Sequence, residues 1–202
     1  MRHLLQIYDE GADEHSVVFN ASKSKCLVVA HKGRRHLLTD GSICPFYVGR
    51  NQIEFVDQFV HFGHVINSKL DDCNDISHRR NSFIGQTNNV SCDFSCVVSA
   101  VRYKLFKSYC SSIYGCESWC LDDSKINEFC TTWRRGRRRI WNLAYRAHCD
   151  MLHALSNDIP VFDEICNQYL WFINTCLSHS NDLVRFYAWP GAVCTPGLWF
   201  FW

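Results

Sequence analysis

A chain of 202 residues that is 47% hydrophobic and 20% charged has the composition of a folded protein and excludes a disordered one. The formal net charge of +1 gives no overall pull toward a polyanion. The distribution is uneven, however: residues 100–146 hold ten Lys/Arg against four Asp/Glu, and residues 147–202 hold one against five. No apolar run of about 18 residues offers a membrane span. The opening Met1–Glu10 turns acidic too early for a signal peptide, so an intracellular protein, cytoplasmic or nuclear, is expected.

Residues 2–15 read as an amphipathic helix, with Leu4, Leu5 and Tyr8 on one face and Asp9, Glu10, Asp13 and Glu14 outside. Val17–Asn20 and Cys26–Ala30 are expected as short strands, joined by the polar turn Asn20-Ala-Ser-Lys23-Ser-Lys25. A basic loop follows, then the hairpin signal Asp40-Gly41 and a returning strand over Ile43–Val48. Strands over Glu54–Val60 and His61–Ile66 complete a small antiparallel sheet of three or four strands, with Gly63 read as a bulge or a close backbone approach.

After this point the pattern is helical. Asn74 or Asp75 is expected to cap a helix running to about residue 86, and residues 88–95 read as a loop. Residues 95–119 form the clearest helix, with Val97, Val98, Val101, Leu105 and Tyr109 on its apolar side and Arg102, Lys104 and Lys107 opposite. Asp122-Asp123 opens a second long helix, to Tyr145, whose core candidates include Ile126, Phe129, Cys130, Trp133, Ile140 and Trp141. Between Trp133 and Trp141 lie Arg134, Arg135, Arg137, Arg138 and Arg139. Such a stripe suits nucleic-acid backbone, and equally serves as a solvated face or a localisation signal. A short helix over residues 150–154 and another with Pro160 in its first turn follow. The aromatic tail, residues 185–202, is expected to be unstructured or aberrant.

Thirteen cysteines, an odd number at irregular spacing, argue against a disulfide framework. Cys92/Cys96, Cys116/Cys120 and Cys149/His153 have ligand residue types four apart, a spacing that small buried side chains on one helix face share. Metal ligands: none assigned.

Three stretches together resemble one family. Phe19-Asn20-x-x-Lys23-Ser24-Lys25, Phe59-Val-His61-Phe62-Gly63-x-x-Ile66 and Tyr114-Gly115-x-Glu117-x-Trp119 are similar, in order, to motifs of reverse transcriptases from non-LTR (LINE-like) retrotransposons. Asp75-Ile76-x-x-Arg79 resembles the start of that family's first thumb helix. The resemblance covers roughly residues 1–184. It implies an α+β fold: a partial polymerase palm with a small antiparallel sheet (1–70), a helical thumb-like domain (71–184), and the tail (185–202).

What the resemblance implies for function is specific. Lys23 and Lys25 would face phosphate near an incoming nucleotide, and His61, Phe62 and Gly63 would lie where primer is gripped. Arg79 and the five arginines would contact the backbone of RNA or an RNA–DNA hybrid. The family's catalytic Ala-Asp-Asp hairpin precedes the matching region, so its aspartates and their Mg2+ are expected outside this chain. No cofactor is expected in the chain, no catalytic residue is assigned, and a complementing polymerase chain stays open. Asp71-Asp72 and Asp122-Asp123 do not sit between two apolar strands and are read as structural. The competing readings are a helical protein-interaction module and a vestigial product without a selected function.

Overall fold

The computed structural model describes residues 2–20, 22–29, 45–49, 51–111 and 113–188. They divide into two units, Met1–Asp71 and Asp72–Trp202. At the coarse level the chain is mixed α and β: small two-stranded pairings in the first unit, helices in the second.

The first unit starts with α1 (Arg2–Glu14). Its amphipathic face is only partly covered: Ala12 is buried, whereas Leu4 and Tyr8 are exposed and Tyr8 meets Phe19 edge-on at 6.4 Å. Residues 17–20 do not form the expected strand. Instead the Asn20 side chain accepts from the Lys23 amide at 3.1 Å and the Ser22 hydroxyl at 2.6 Å, which winds the chain into a turn before β1 (Lys25–Leu27). Next come β2 (Tyr47–Val48), β3 (Asn51–Gln52), β4 (Glu54–Val56), β5 (Gln58–His61) and β6 (His64–Asn67).

The expectation of one antiparallel sheet is corrected. Among the described residues there are three separate pairings, and β1 runs parallel to β4 with Cys26 opposite Phe55. Lys25 and Glu54 lie opposite each other in that register and form an ion pair at 2.5 Å. β2 and β3 pair antiparallel, and so do β5 and β6, with His61 opposite His64. Gly63 is therefore a turn residue and not a bulge. Phe62 and Gly63 have φ of 47° and 81°, the signs that a two-residue type I′ hairpin needs at both central positions. The Asp40-Gly41 turn and the start of the Ile43–Val48 strand lie outside the described residues.

The second unit contains α2 (Cys73–Asp93), α3 (Ser99–Cys110), a 3-10 turn (Cys116–Ser118), α4 (Ser124–Ile140), α5 (Cys149–Ser156), α6 (Val161–Leu177) and α7 (Asp182–Ala188). Its core joins Ile76, Phe83 and Val90 of α2 to Tyr103 and Phe106 of α3. Trp119 with Ile126, Phe129, Trp133 and Ile140 of α4, and Val161 and Ile165 of α6, complete it. Aromatic rings fill the centre: Phe83 stacks on Trp133 at 4.6 Å and 14°, and Phe106 meets both edge-on.

Four expected boundaries change here. The helix expected to stop near residue 86 continues to Asp93, because Phe83, Thr87 and Val90 share a buried stripe that carries the polar residues 88–93 along. The helix expected over 95–119 ends at Cys110, and Gly115, at φ 86°, turns the chain into the 3-10 turn. Pro160 stands at the N-cap of α6, one place before the first turn. Residues 185–188 of the tail belong to α7, and residues 189–202 lie outside the described residues.

The buried side of α3 is also corrected. Val98, Val101 and Tyr109 are exposed, and Arg102, Tyr103, Phe106 and Cys110 face inward. Two aromatic side chains bury more area than the valines, and the terminal nitrogens of Arg102 donate to the Ser95 and Val97 carbonyls and to Asn142. On α6 Val161 and Ile165 are buried as expected and Ile173 and Leu177 are half-buried, whereas Leu170 and Phe172 are exposed.

At Gly136 α4 approaches α2 closely. A Cβ there would lie 2.8 Å from Phe83 Cζ and 3.4 Å from Thr87 Cγ2. Phe83 cannot swing away without leaving Trp133. Gly136→Ala should therefore destabilise the unit by about 1–2 kcal/mol, the overpacking cost outweighing the roughly 1 kcal/mol that alanine gains in a helix. A urea titration of both proteins measures this; a more stable alanine variant would show that the helices can part.

Candidate nucleic-acid interface

Two of the stretches that carry the family resemblance meet in the second unit. The Trp119 indole N–H donates to buried Asp75 Oδ2 at 2.8 Å, and the Cys120 amide donates to Asp72 Oδ2, also at 2.8 Å. The Ser118 hydroxyl closes the 3-10 turn on the Gly115 carbonyl at 2.9 Å. Residues 114–119 are thus docked on the first turns of α2, which makes them architectural. Arg79 joins the same contact: it is half-buried with its guanidinium over the Tyr114 ring at 5.7 Å.

The arginines separate into two kinds. Helical period places Arg137 on the side of Ile126, Phe129, Cys130, Trp133 and Ile140, and it is buried with them. Its guanidinium pairs with Asp158 at 3.0 Å. Arg137 is therefore placed inside the unit with Asp158, and not on the exposed face with the other arginines. Arg134, Arg135 and Arg139 are exposed on the opposite side of α4, and Arg138 is half-buried, its Nε donating to the Ala147 carbonyl at 2.9 Å. The exposed guanidiniums are steadied locally: Arg134 by Thr131 at 3.1 Å, Arg135 by the Tyr145 hydroxyl at 2.9 Å and its ring face, Arg139 by Asn88. No acidic residue lies between Trp133 and Arg146 in the sequence; Glu128, two turns before Arg135 on the same side of α4, is engaged by Lys125 and Arg80. Trp133 is buried and Trp141 half-buried with its N–H on Ser156, so neither offers a free face for base stacking.

Asp158 was not marked by the sequence reading, yet it binds three elements together. Tyr103 and Arg137 donate to Oδ2, Lys107 donates to Oδ1 at 2.6 Å, and His153 Nδ1 lies 3.0 Å from its carbonyl. Burial pushes the Asp158 carboxyl up, but the hydrogen bonds from Lys107 and Tyr103 and the charges of Arg137 and Lys107 outweigh it and hold the group below its ordinary value. The Tyr103 hydroxyl is pushed up to about 12, first by burial and then by its bond to that carboxylate. The signal that could have revealed Asp158 was Arg137 itself, since an arginine at an inward helical position needs a buried acid.

The remaining site residues belong to the first unit. Lys23 is exposed in the turn after Asn20, and Lys25 is engaged by Glu54. Val18, Phe19, Asn20, Ser22, Lys25, Asn51, Gln52 and Glu54 line an open cleft of about 720 Å³, with Glu54 setting a negative charge against the lysine. His61, Phe62 and Gly63 form the exposed tip of the β5–β6 hairpin, where the His61 and Phe62 rings lie 4.2 Å apart.

The adjacent aspartates have structural work. The Asp71 carboxylate accepts from Asn67, Asp72 accepts from the Cys120 amide, and Asp123 caps α4 by accepting from the Lys125 amide at 2.7 Å. Among the described residues no three His, Cys, Asp or Glu come together as a metal site. Among the same residues no helix is long and apolar enough to cross a membrane. No family model, curated protein or solved structure matches the chain.

Proposed function

We propose that this chain is a reverse-transcriptase-like fragment that binds the backbone of RNA or an RNA–DNA primer–template and leaves nucleotidyl transfer to carboxylates outside it. The observation that carries the reading is the face of α4 on which Arg134, Arg135 and Arg139 are exposed, with Arg138 beside them. The resemblance of residues 1–184 to the palm edge and thumb of LINE-type enzymes supports it, as does the docking of the Tyr114–Trp119 stretch on α2. Planar guanidiniums one helical turn apart suit successive phosphates and read no base sequence. Lys23 and the hairpin tip are secondary contacts in this proposal, and Arg137 takes no part.

The reading predicts a steep salt dependence. Affinity for a labelled RNA–DNA hybrid should fall linearly in log–log form with salt, and each of Arg134→Ser, Arg135→Ser and Arg139→Ser should lower the slope by about one. A slope that the three substitutions leave unchanged would remove α4 from the interface. A second reading, a helical interaction module, is favoured by the exposed Leu170 and Trp171 of α6. It predicts a protein partner whose binding ignores the arginine substitutions.

A further inference from the structure

The cysteines of the second unit are unequal in a way that the proposed function does not use. Cys110, Cys116 and Cys130 are buried, and burial pushes the Cys116 thiol up to about 12, which makes it inert. Cys120 is exposed and Cys73 is half-buried at the first position of α2. These two sit on one small ring of bonds. The Cys73 thiol donates to Asp123 Oδ2 at 3.4 Å; the Asp123 amide donates to the Cys120 carbonyl at 3.0 Å; the Cys120 amide donates to Asp72 Oδ2 at 2.8 Å; and Asp72 is peptide-bonded to Cys73. Both thiols therefore spring from the point where the chain before α4 is tied to the first turn of α2.

We propose that Cys73 and Cys120 form a redox-sensitive disulfide clamp between the start of α2 and the approach to α4. The oxidant is a small disulfide of the glutathione class. The exposed Cys120 sulfur, as thiolate, attacks oxidised glutathione, forming a mixed disulfide and releasing one glutathione thiolate. The Cys73 sulfur then attacks the Cys120 sulfur, breaking the mixed disulfide and releasing the second. The two cysteine protons end on the two glutathiones, so two thiols are oxidised and one disulfide is reduced. Asp123 loses its bond from Cys73 but keeps the Lys125 amide on Oδ1, so the α4 cap survives. The closed loop holds α2, α3 and the 3-10 turn, and constrains the unfolded chain.

The test uses the full chain treated with oxidised glutathione, mapped by non-reducing peptide mass spectrometry and melted with and without reductant. The expected result is a Cys73–Cys120 peptide pair and a reductant-sensitive rise in Tm on the order of 10 °C. Cys73→Ser, whose hydroxyl can still donate to Asp123, should melt as the reduced protein does and retain glutathione on Cys120. Cys73 still open to alkylation in the oxidised, cooperatively melting protein would overturn the proposal, as would pairing of either thiol elsewhere. A Tm rise that persists in Cys73→Ser would do so too.

Discussion

Asp158→Asn should lower the stability of the helical unit by about 3–5 kcal/mol, the cost of leaving a buried guanidinium without its partner. Arg137 is 3% exposed, and the same substitution weakens the acceptor for Tyr103 and Lys107. All seven tryptophans lie in this unit, so their fluorescence in a urea titration reports it without interference from the first. The pH dependence follows from the direction of the shift. The folded-state pKa of Asp158 lies below its ordinary 3.8, so the contribution is complete above that value and is lost as pH falls through the lower folded one. The wild type should lose this part of its stability as pH drops below about 5, and the asparagine variant should lose correspondingly less. An Asp158→Asn protein as stable as the parent would mean that Arg137 finds water or another acceptor.

Trp119→Phe should cost about 2 kcal/mol or more, from the lost indole donor and the smaller ring in a filled site. Trp119 is 1% exposed, meets Phe129 edge-on at 5.6 Å and donates to Asp75, itself 4% exposed. A double-mutant cycle with Asp75→Ala, which removes the acceptor, separates the two causes: the coupling should reach about 1 kcal/mol, whereas loss of packing alone gives additive effects. Additivity would remove the bond that joins the two resemblance-bearing stretches.

Much of the helical unit was legible because its signals are local. Asp123 announces α4 as a cap, and the apolar period from Ile126 to Ile140 points at the core the structure shows. Other features were decided at long range. α3 was read with its valines inward, but the aromatic pair Tyr103 and Phe106 had a core to fill, and Arg102 found carbonyls to bond. The parallel pairing of β1 with β4 depends on residues far apart in the chain, which alternation along a strand cannot report. The hairpin at Phe62-Gly63 was missed because phenylalanine occupies a left-handed position that Asn, Asp or Gly usually fill. The arginine stripe was legible as a composition but not as a surface: one of the five, Arg137, faces inward, and only its register with Trp133 and Ile140 betrayed it.

The most direct measurement is hybrid binding by the wild type and by Arg134→Ser/Arg135→Ser/Arg139→Ser, with thermal melts of both proteins in the same buffer. These side chains are exposed, so the melts should coincide within about 2 °C. The account predicts salt-sensitive binding by the wild type and an affinity loss of about tenfold or more in the variant at equal fold stability. Equal affinity of two equally stable proteins would contradict it, and would turn attention to the exposed apolar side of α6.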